Sequence, residues 1–143
     1  MIDRHTYLLL QDVIRREGRS FLQYAGESFP WSTSRDGAAL DAIRKLIQEE
    51  QDGTAVLSRY LHKNHLTPPY LGAYPSYFTS YNYLSLDRLV PLLIDHQKSH
   101  IAALEDDLSG IPDGEARKQV QQLVEMKKRH LKELEALARP AAA

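Results

Sequence analysis

The amino-acid sequence predicts an all-α fold built from four helices. Apolar residues recur at steps of three and four along four long segments, and this spacing places them on one face of a helix. Clusters of proline and glycine, residues that end helices, separate the segments. A chain of 143 residues fits one domain that buries most of its apolar surface. We therefore expect a single helical domain over residues 1–143.

The predicted helices have recognisable ends. Asp3 can cap the first helix, because an aspartate oxygen accepts hydrogen bonds from the free N–H groups of a first turn. Pro68 and Pro69 end the second helix, since proline disfavours helical backbone at the residue before it. The third helix follows Ser85 and ends near Gly110. The four predicted helices are about residues 3–27, 37–65, 86–109 and 113–138, followed by a frayed tail at 139–143.

Two glycines lie inside the predicted helices. Gly18 and Gly53 each cost up to ~1 kcal/mol relative to alanine at such positions. We therefore expect each glycine to admit the close approach of a neighbouring helix or side chain. A pocket for a small apolar ligand, opened by these two glycines, is a further interpretation of the same feature.

The connections between the helices differ in length, and this difference sets the predicted topology. The first and third are short, so helices one and two, and helices three and four, should be antiparallel neighbours. Residues 66–84 are too long for a hairpin, and extended chain at ~3.3 Å per residue can span a long helix. This crossover would leave helices two and three parallel. Its aromatic residues either anchor it or form an exposed recognition or dimer surface: Tyr70, Tyr74, Tyr77, Phe78, Tyr81 and Tyr83.

The composition argues against several classes of function. Eighteen basic and nineteen acidic residues are interspersed and give a net charge of -1, which does not favour binding to nucleic acid or to an anionic membrane. The absence of cysteine excludes thiolate catalysis and cysteine-ligated metal sites. Apolar runs such as Tyr7–Leu10 and Leu89–Ile94 are far shorter than a membrane span or a signal segment. We expect a cytoplasmic protein.

Each apolar stripe is interrupted near its middle by one polar residue. A buried ionisable group costs several kcal/mol unless it is paired or liganded, so these residues mark a candidate site. The sequence therefore predicts a buried polar layer that contains these four residues and a histidine one helical turn beyond the last of them: Glu17, Glu50, Gln97, Lys127 and His130. The alternatives are a solvated edge, reached by a slight rotation of the helices, and an outward extension of the long Lys127 side chain to water.

Four short segments carry a resemblance to a known family: Glu17–Tyr24, Glu49–Gly53, Gln97–Glu105 and Lys127–Glu135. They resemble ferritin-like proteins of the bacterioferritin and rubrerythrin type. In that family the first segment has a metal-ligating glutamate before a Gln-Tyr pair, and the last two have Glu-x-x-His followed by Leu-Glu. The resemblance implies a ferritin-like four-helix bundle with a long crossover between helices two and three.

The resemblance also implies that the di-iron site of the family is degenerate here. The family takes one glutamate from each of two helices and a Glu-x-x-His from each of the other two. Three matching positions keep a ligand: Glu17, Glu50 and His130. Three other positions lack one: Gly53, Gln97 and Lys127. The resemblance therefore implies a non-enzymatic binding or assembly module without an intact metal site, with a homodimer as one form of assembly.

A metalloprotein is the alternative function. In this interpretation iron or manganese binds a site with fewer ligands than the di-iron site of the family and supports oxygen or peroxide chemistry. The ligands would be Glu17, Glu50, His100 and His130. His96 and His100 lie one helical turn apart and, with the other histidines, resemble hemerythrin. That match fails because the second helix has no His-x-x-x-Glu and the crossover does not suit an up-down bundle. A nucleophile elbow and a phosphate-binding glycine loop are also absent from the sequence.

Overall fold

The computed structural model describes residues 2–27 and 36–138, and within these ranges it contains helices and no β-strand. The α-helices are α1 (Arg4–Gly18), α2 (Phe21–Glu27), α3 (Gly37–Lys63), α4 (Leu86–Ser109) and α5 (Glu115–Leu137). A 3-10 helix, Ser76–Tyr81, lies in the connection between α3 and α4. The prediction of an all-helical chain is confirmed for the described residues. The predicted tail at 139–143 lies outside them.

The predicted ends of the helices agree closely with the structure at most positions. The side chain of Asp3 caps α1, because its Oδ1 accepts a hydrogen bond from the backbone N–H of Thr6 at 2.7 Å. The observed bounds of α3, α4 and α5 differ from the predicted ones by two residues or fewer. None of the described helices is both long and apolar enough to cross a bilayer.

The prediction of one continuous helix over residues 3–27 is wrong. The helical backbone stops after Gly18 and resumes at Phe21. Ser20 caps the new helix, since its Oγ accepts a hydrogen bond from the backbone N–H of Gln23 at 3.2 Å. The sequence Ser20-Phe-Leu-Gln23 is a capping-box pattern, and it follows a glycine, which is typical of a helix end. The break therefore has a local sequence signal.

Two buried apolar clusters hold the helices together. The aliphatic cluster joins α1, the second halves of α3 and α4, and the first half of α5, and it includes Leu10, Leu57, Leu104 and Val124. The aromatic cluster joins α2, the first halves of α3 and α4, the 3-10 helix and the end of α5, and it includes Phe21, Ile43, Phe78, Leu89 and Leu134. α1 and α2 pack against α3 and α4, and α5 packs against α3 and α4.

The connection between α3 and α4 lies along α1 and α2. Near its start, the hydroxyl of Tyr7 donates to the backbone carbonyl of Thr67 at 2.8 Å. Further along, Nε of Arg19 donates to the carbonyl of Gly72 at 2.8 Å. Near its end, the hydroxyl of Tyr24 donates to Oδ1 of Asn82 at 2.6 Å. Successive positions of the connection are thus fixed to successive positions of α1 and α2.

The aromatic residues of this connection divide into two groups. Phe78 is buried, and its ring centroid lies 5.1 Å from that of Phe21, while Tyr74 and Tyr81 are half-buried against the same cluster. The other three are 90%, 57% and 80% exposed, as in the alternative of an exposed surface: Tyr70, Tyr77 and Tyr83. A recognition role for the exposed three stays a prediction.

Both internal glycines stand where a neighbouring side chain comes close, as predicted. A Cβ atom built on Gly18 would lie 2.9 Å from Cδ2 of Leu71 in the connection. A Cβ atom built on Gly53 would lie 2.9 Å from Sδ of Met126 on α5. At each position a larger residue would force its neighbour to move.

Candidate functional site

A layer of buried polar side chains separates the two apolar clusters. Glu17, Glu50 and Lys127 are inaccessible to solvent, and Gln97 and His130 are 3% and 1% exposed. On α3, α4 and α5 the layer residues fall between members of the two clusters along the chain, for example between Ile47 and Leu57 on α3. Glu17 falls between the cluster members of α1 and those of α2. The structure therefore brings the five residues singled out in the sequence to one level of the core.

Lys127 places a positive charge at the centre of the layer. Its Nζ donates to Oε1 of Glu17 in a short contact and lies 3.7 Å from Oε2 of Glu50. Burial lowers the pKa of the Lys127 ammonium, but Glu50 and Glu17 outweigh burial, and the pKa is raised above its ordinary value. Lys127 is therefore a buried ammonium ion at neutral pH.

Glu17 is the most heavily paired residue of the layer. Besides Lys127, it accepts from Nε of Arg16 at 2.8 Å and contacts Nδ1 of His100 at 3.1 Å. Arg16 continues the network to Oδ2 of Asp107 at 2.9 Å, on the partly exposed side of α4. Burial raises the pKa of Glu17, but Lys127 and His100 outweigh it and hold the pKa far below its usual range. Glu17 is thus a carboxylate with every oxygen engaged.

One carboxylate oxygen of Glu50 accepts hydrogen bonds, and the other faces the Lys127 ammonium at ion-pair distance without a hydrogen bond. Oε1 accepts from Oγ of Ser20 in a short contact and from Nε2 of Gln23 at 3.2 Å. Gln23 also donates to the backbone carbonyl of Glu17 at 2.7 Å, so one amide links both glutamates. Within the described residues, Oε2 of Glu50 has no hydrogen-bond partner. The break between α1 and α2 is what brings Ser20 to this carboxylate.

Gln97 and His130 complete the layer in different ways. Nε2 of Gln97 donates to the backbone carbonyl of Lys127 at 3.0 Å and ties α4 to α5. Neither ring nitrogen of His130 has a hydrogen-bond partner in the described part of the chain. Oε2 of Glu49 lies 3.8 Å from Nε2 of His130, too far for a hydrogen bond. Burial lowers the pKa of His130 despite the opposing effect of Glu50, so the imidazole is neutral at pH 7.

The described residues contain no group of three or more histidine, aspartate or glutamate side chains arranged to hold a metal ion. At Gly53, where the resembling family has a second-helix histidine, the space for a side chain is filled by the thioether of Met126 and by Leu123. The two histidines that resembled a hemerythrin pair have different surroundings, because His96 stacks on Phe21 at 4.6 Å while His100 contacts Glu17. Glu50 and His130 are the layer residues with atoms left to bind a cation.

Sequence reasoning found the charged residues of the layer but missed their partners. Arg16, Ser20 and Gln23 lie beside the apolar stripe, where a periodic pattern gives no information about them. The capping-box sequence from Ser20 to Gln23 is the signal that could have found two of the three.

No protein-family model, curated protein or solved structure matched the chain. The resemblance to ferritin-like proteins therefore rests on four short segments of the sequence. Function has to be inferred from the chemistry of the buried layer.

Proposed function

We propose that the chain forms a ferritin-like four-helix bundle in which a buried ion-pair layer takes the place of the di-iron site. In this arrangement α1 and α2 together make the first helix of the bundle. The first halves of α3 and α4 belong to the same apolar cluster, which supports a parallel orientation of these two helices. The hydrogen bonds from α1 and α2 to Thr67, Gly72 and Asn82 support a crossover along the bundle.

From this arrangement we infer a non-enzymatic role as a binding or assembly module. The observation that carries the inference is the Lys127 ammonium, which is fully buried and lies against both Glu17 and Glu50. In the resembling family the corresponding glutamates offset the charge of two iron ions. A fixed ammonium at this place repels cations and already offsets the buried carboxylate charge. The homodimer and the cytoplasmic location stay predictions.

Metal analysis tests the proposed function. The protein, purified without chelator and then supplied with ferrous iron or manganese, should hold much less than one metal ion per chain. Its melting temperature should barely change, whereas a ligand at 100 times its Kd would add ~2.7 kcal/mol to the free energy of unfolding. Stoichiometric iron in the unmodified protein, lost in Glu50→Ala, would contradict the proposal.

A matched pair of variants sharpens this test. Lys127→Glu removes the ammonium and restores a carboxylate, so it should increase iron uptake. Lys128→Glu makes the same change of charge one residue later, at a side chain that is 53% exposed, and should leave iron uptake unchanged. Equal uptake by both variants would mean that Lys127 does not exclude the metal.

A metalloprotein whose site has fewer ligands than the di-iron site is the second candidate. It is favoured by the nitrogens of His130 and the Oε2 atom of Glu50, which have no hydrogen-bond partner in the described residues. These two residues would hold one iron or manganese ion, with Glu17 and His100 beside it. Such an ion would supply oxygen or peroxide chemistry. If this candidate is correct, the metal analysis will show a stoichiometric ion that is lost in His130→Gln as well as in Glu50→Ala.

A further inference from the structure

A cavity of about 370 Å³ lies between α1, α2, α3 and the first part of the crossover connection. Small-molecule sites typically have volumes of ~300–1,000 Å³, so this space is large enough for a compact organic molecule. Its α3 wall is formed by a stripe at steps of three and four, with Gln51, Thr54 and Ser58 giving polar atoms and Ala55 leaving room.

The opposite wall of the cavity is held in place from both ends. Pro69 and Leu71 of the connection line the cavity, and Leu71 rests against Gly18. The hydrogen bonds of Tyr7 to Thr67 and of Arg19 to Gly72 fix the chain on either side of these residues. A proline within a segment fixed at both ends has little freedom to collapse. The cavity is therefore preformed, which lowers the entropic cost of binding.

The lining selects against charge. None of the described residues that line the cavity carries an ionisable side chain, and Ile14, Pro69 and Leu71 contribute apolar surface. A charged group placed against this lining would lose part of its hydration without gaining an ion partner, whereas an apolar body gains from leaving water. The cavity fits an uncharged, mostly apolar molecule.

Gln23 adds a specific polar contact. The residue lines the cavity although it is only 5% exposed. Its amide nitrogen donates to the carbonyl of Glu17 and to Oε1 of Glu50. Both of these hydrogen bonds use the amide nitrogen as donor, which leaves the amide oxygen to act as an acceptor. A molecule in the cavity that carries an O–H or N–H group can donate to this oxygen.

We propose that this cavity binds a small uncharged molecule with an apolar body and one hydrogen-bond donor, of the chemical class of a phenol. The donor group bonds to the amide oxygen of Gln23, and the apolar body lies between α3 and the connection. This ligand class deepens the binding role proposed above and rests on it, but it does not depend on which ion occupies the buried layer.

Three related probes test the chemistry of the site. The full chain, labelled with ¹⁵N, is titrated with 4-methylphenol, with its methyl ether 4-methylanisole and with 4-methylbenzoate, and amide shifts are followed by NMR. We expect saturable binding of 4-methylphenol, with shifts centred on α1 and on residues 51–58 of α3. The ether lacks the donor and should bind roughly 2- to 10-fold more weakly, the effect of one neutral hydrogen bond. The carboxylate should show no saturable binding.

Two variants that fill the cavity locate the binding. Ala55→Leu and Ser58→Leu, both at half-buried positions, should abolish the saturable shifts. Ala102→Leu adds the same side chain at an exposed position of α4 and should bind 4-methylphenol as the unmodified protein does. No saturable binding of 4-methylphenol, or equal binding after both cavity substitutions, would overturn the proposal. Stoichiometric iron in the same samples would instead contradict the proposed function and leave this titration result unchanged.

Discussion

The buried layer has two sides, one around Glu17 and one around His130, and the polar atoms of these two residues have different surroundings. On one side Glu17 is charged and contacts three cationic or potentially cationic groups, those of Lys127, Arg16 and His100. On the other side His130 is equally buried but has no hydrogen-bond partner in the described residues. The pKa of Glu17 is lowered by its partners, whereas the pKa of His130 is lowered by burial. Glu17 keeps its charge because it is paired, whereas the His130 imidazole stays neutral because it is buried.

The largest expected effect comes from breaking the paired side. Lys127→Met removes the ammonium and leaves a buried carboxylate without its main partner, which should lower the free energy of unfolding by roughly 3–5 kcal/mol. Denaturant unfolding at pH 7 measures the change. Lys128→Met, one residue further along α5 at an exposed side chain, should change stability by less than ~0.5 kcal/mol.

A second substitution should rescue the first. Combining Lys127→Met with Glu17→Gln removes both charges and should recover much of the lost stability, because no unpaired ion is left in the core. The double-mutant cycle gives the coupling between the two residues. Small and additive effects of the two single substitutions would show that these groups are solvated and independent.

We expect an intermediate loss of stability from a substitution at Ser20, which lies in the break between α1 and α2 and contacts the layer. Ser20→Ala removes the cap of α2 and a hydrogen bond to the buried carboxylate of Glu50, so it should cost roughly 1–3 kcal/mol. Thermal and denaturant unfolding measure this loss. Ser99→Ala, at an exposed position of α4, is the matched control. A loss no greater than that of the control would mean that Ser20 does not support the layer.

The smallest effect concerns the unpaired side and its pH dependence. Because the folded state lowers the pKa of His130, the unfolded chain binds more protons as the pH falls below ~6.5, and the free energy of unfolding decreases. His130→Phe should remove this contribution. The free energy of unfolding should then change less steeply between pH 7 and 5, by less than ~1.4 kcal/mol per pH unit. His62→Phe, at an exposed position of α3, is the matched control.

Glu17 adds a separate contribution at lower pH. Its lowered pKa gives stability that is present above the ordinary carboxyl pKa of ~4.3 and is lost as the pH falls below it. Glu17→Gln should therefore reduce the steepness of acid unfolding below pH 4. If His130→Phe and Glu17→Gln act over the same pH range, the two sides of the layer do not differ as described.

The spacing of the apolar residues predicted much of the core but not the break between α1 and α2. The stripe runs from Glu17 to Phe21 with a step of four, so it continues across the break between α1 and α2 without a change. Hydrophobic periodicity reports which face is buried, and a short irregular turn can preserve that face. Local capping chemistry, from Ser20 to Gln23, carries the missing information.

The length of the connection between α3 and α4 was predictable from the sequence, but the placement of its side chains was not. An irregular segment has no period, so the sequence could not separate the buried Phe78 from the exposed Tyr77 beside it. Within the layer, Glu17, Glu50 and Lys127 followed from their central place on the stripes. Their hydrogen-bond partners depend on the relative rotation of the helices, which tertiary packing decides.

The protonation of Lys127 is the most direct test of the paired layer. NMR of the ¹⁵N-labelled lysine ammonium groups, with the signal of Lys127 assigned by its loss in Lys127→Met, can follow the titration from pH 7 to 11. We expect this ammonium to exchange slowly with water and to remain protonated above the ordinary lysine pKa of ~10.4. A Lys127 signal that titrates with the exposed lysines, or below them, would contradict a buried ion pair with Glu17.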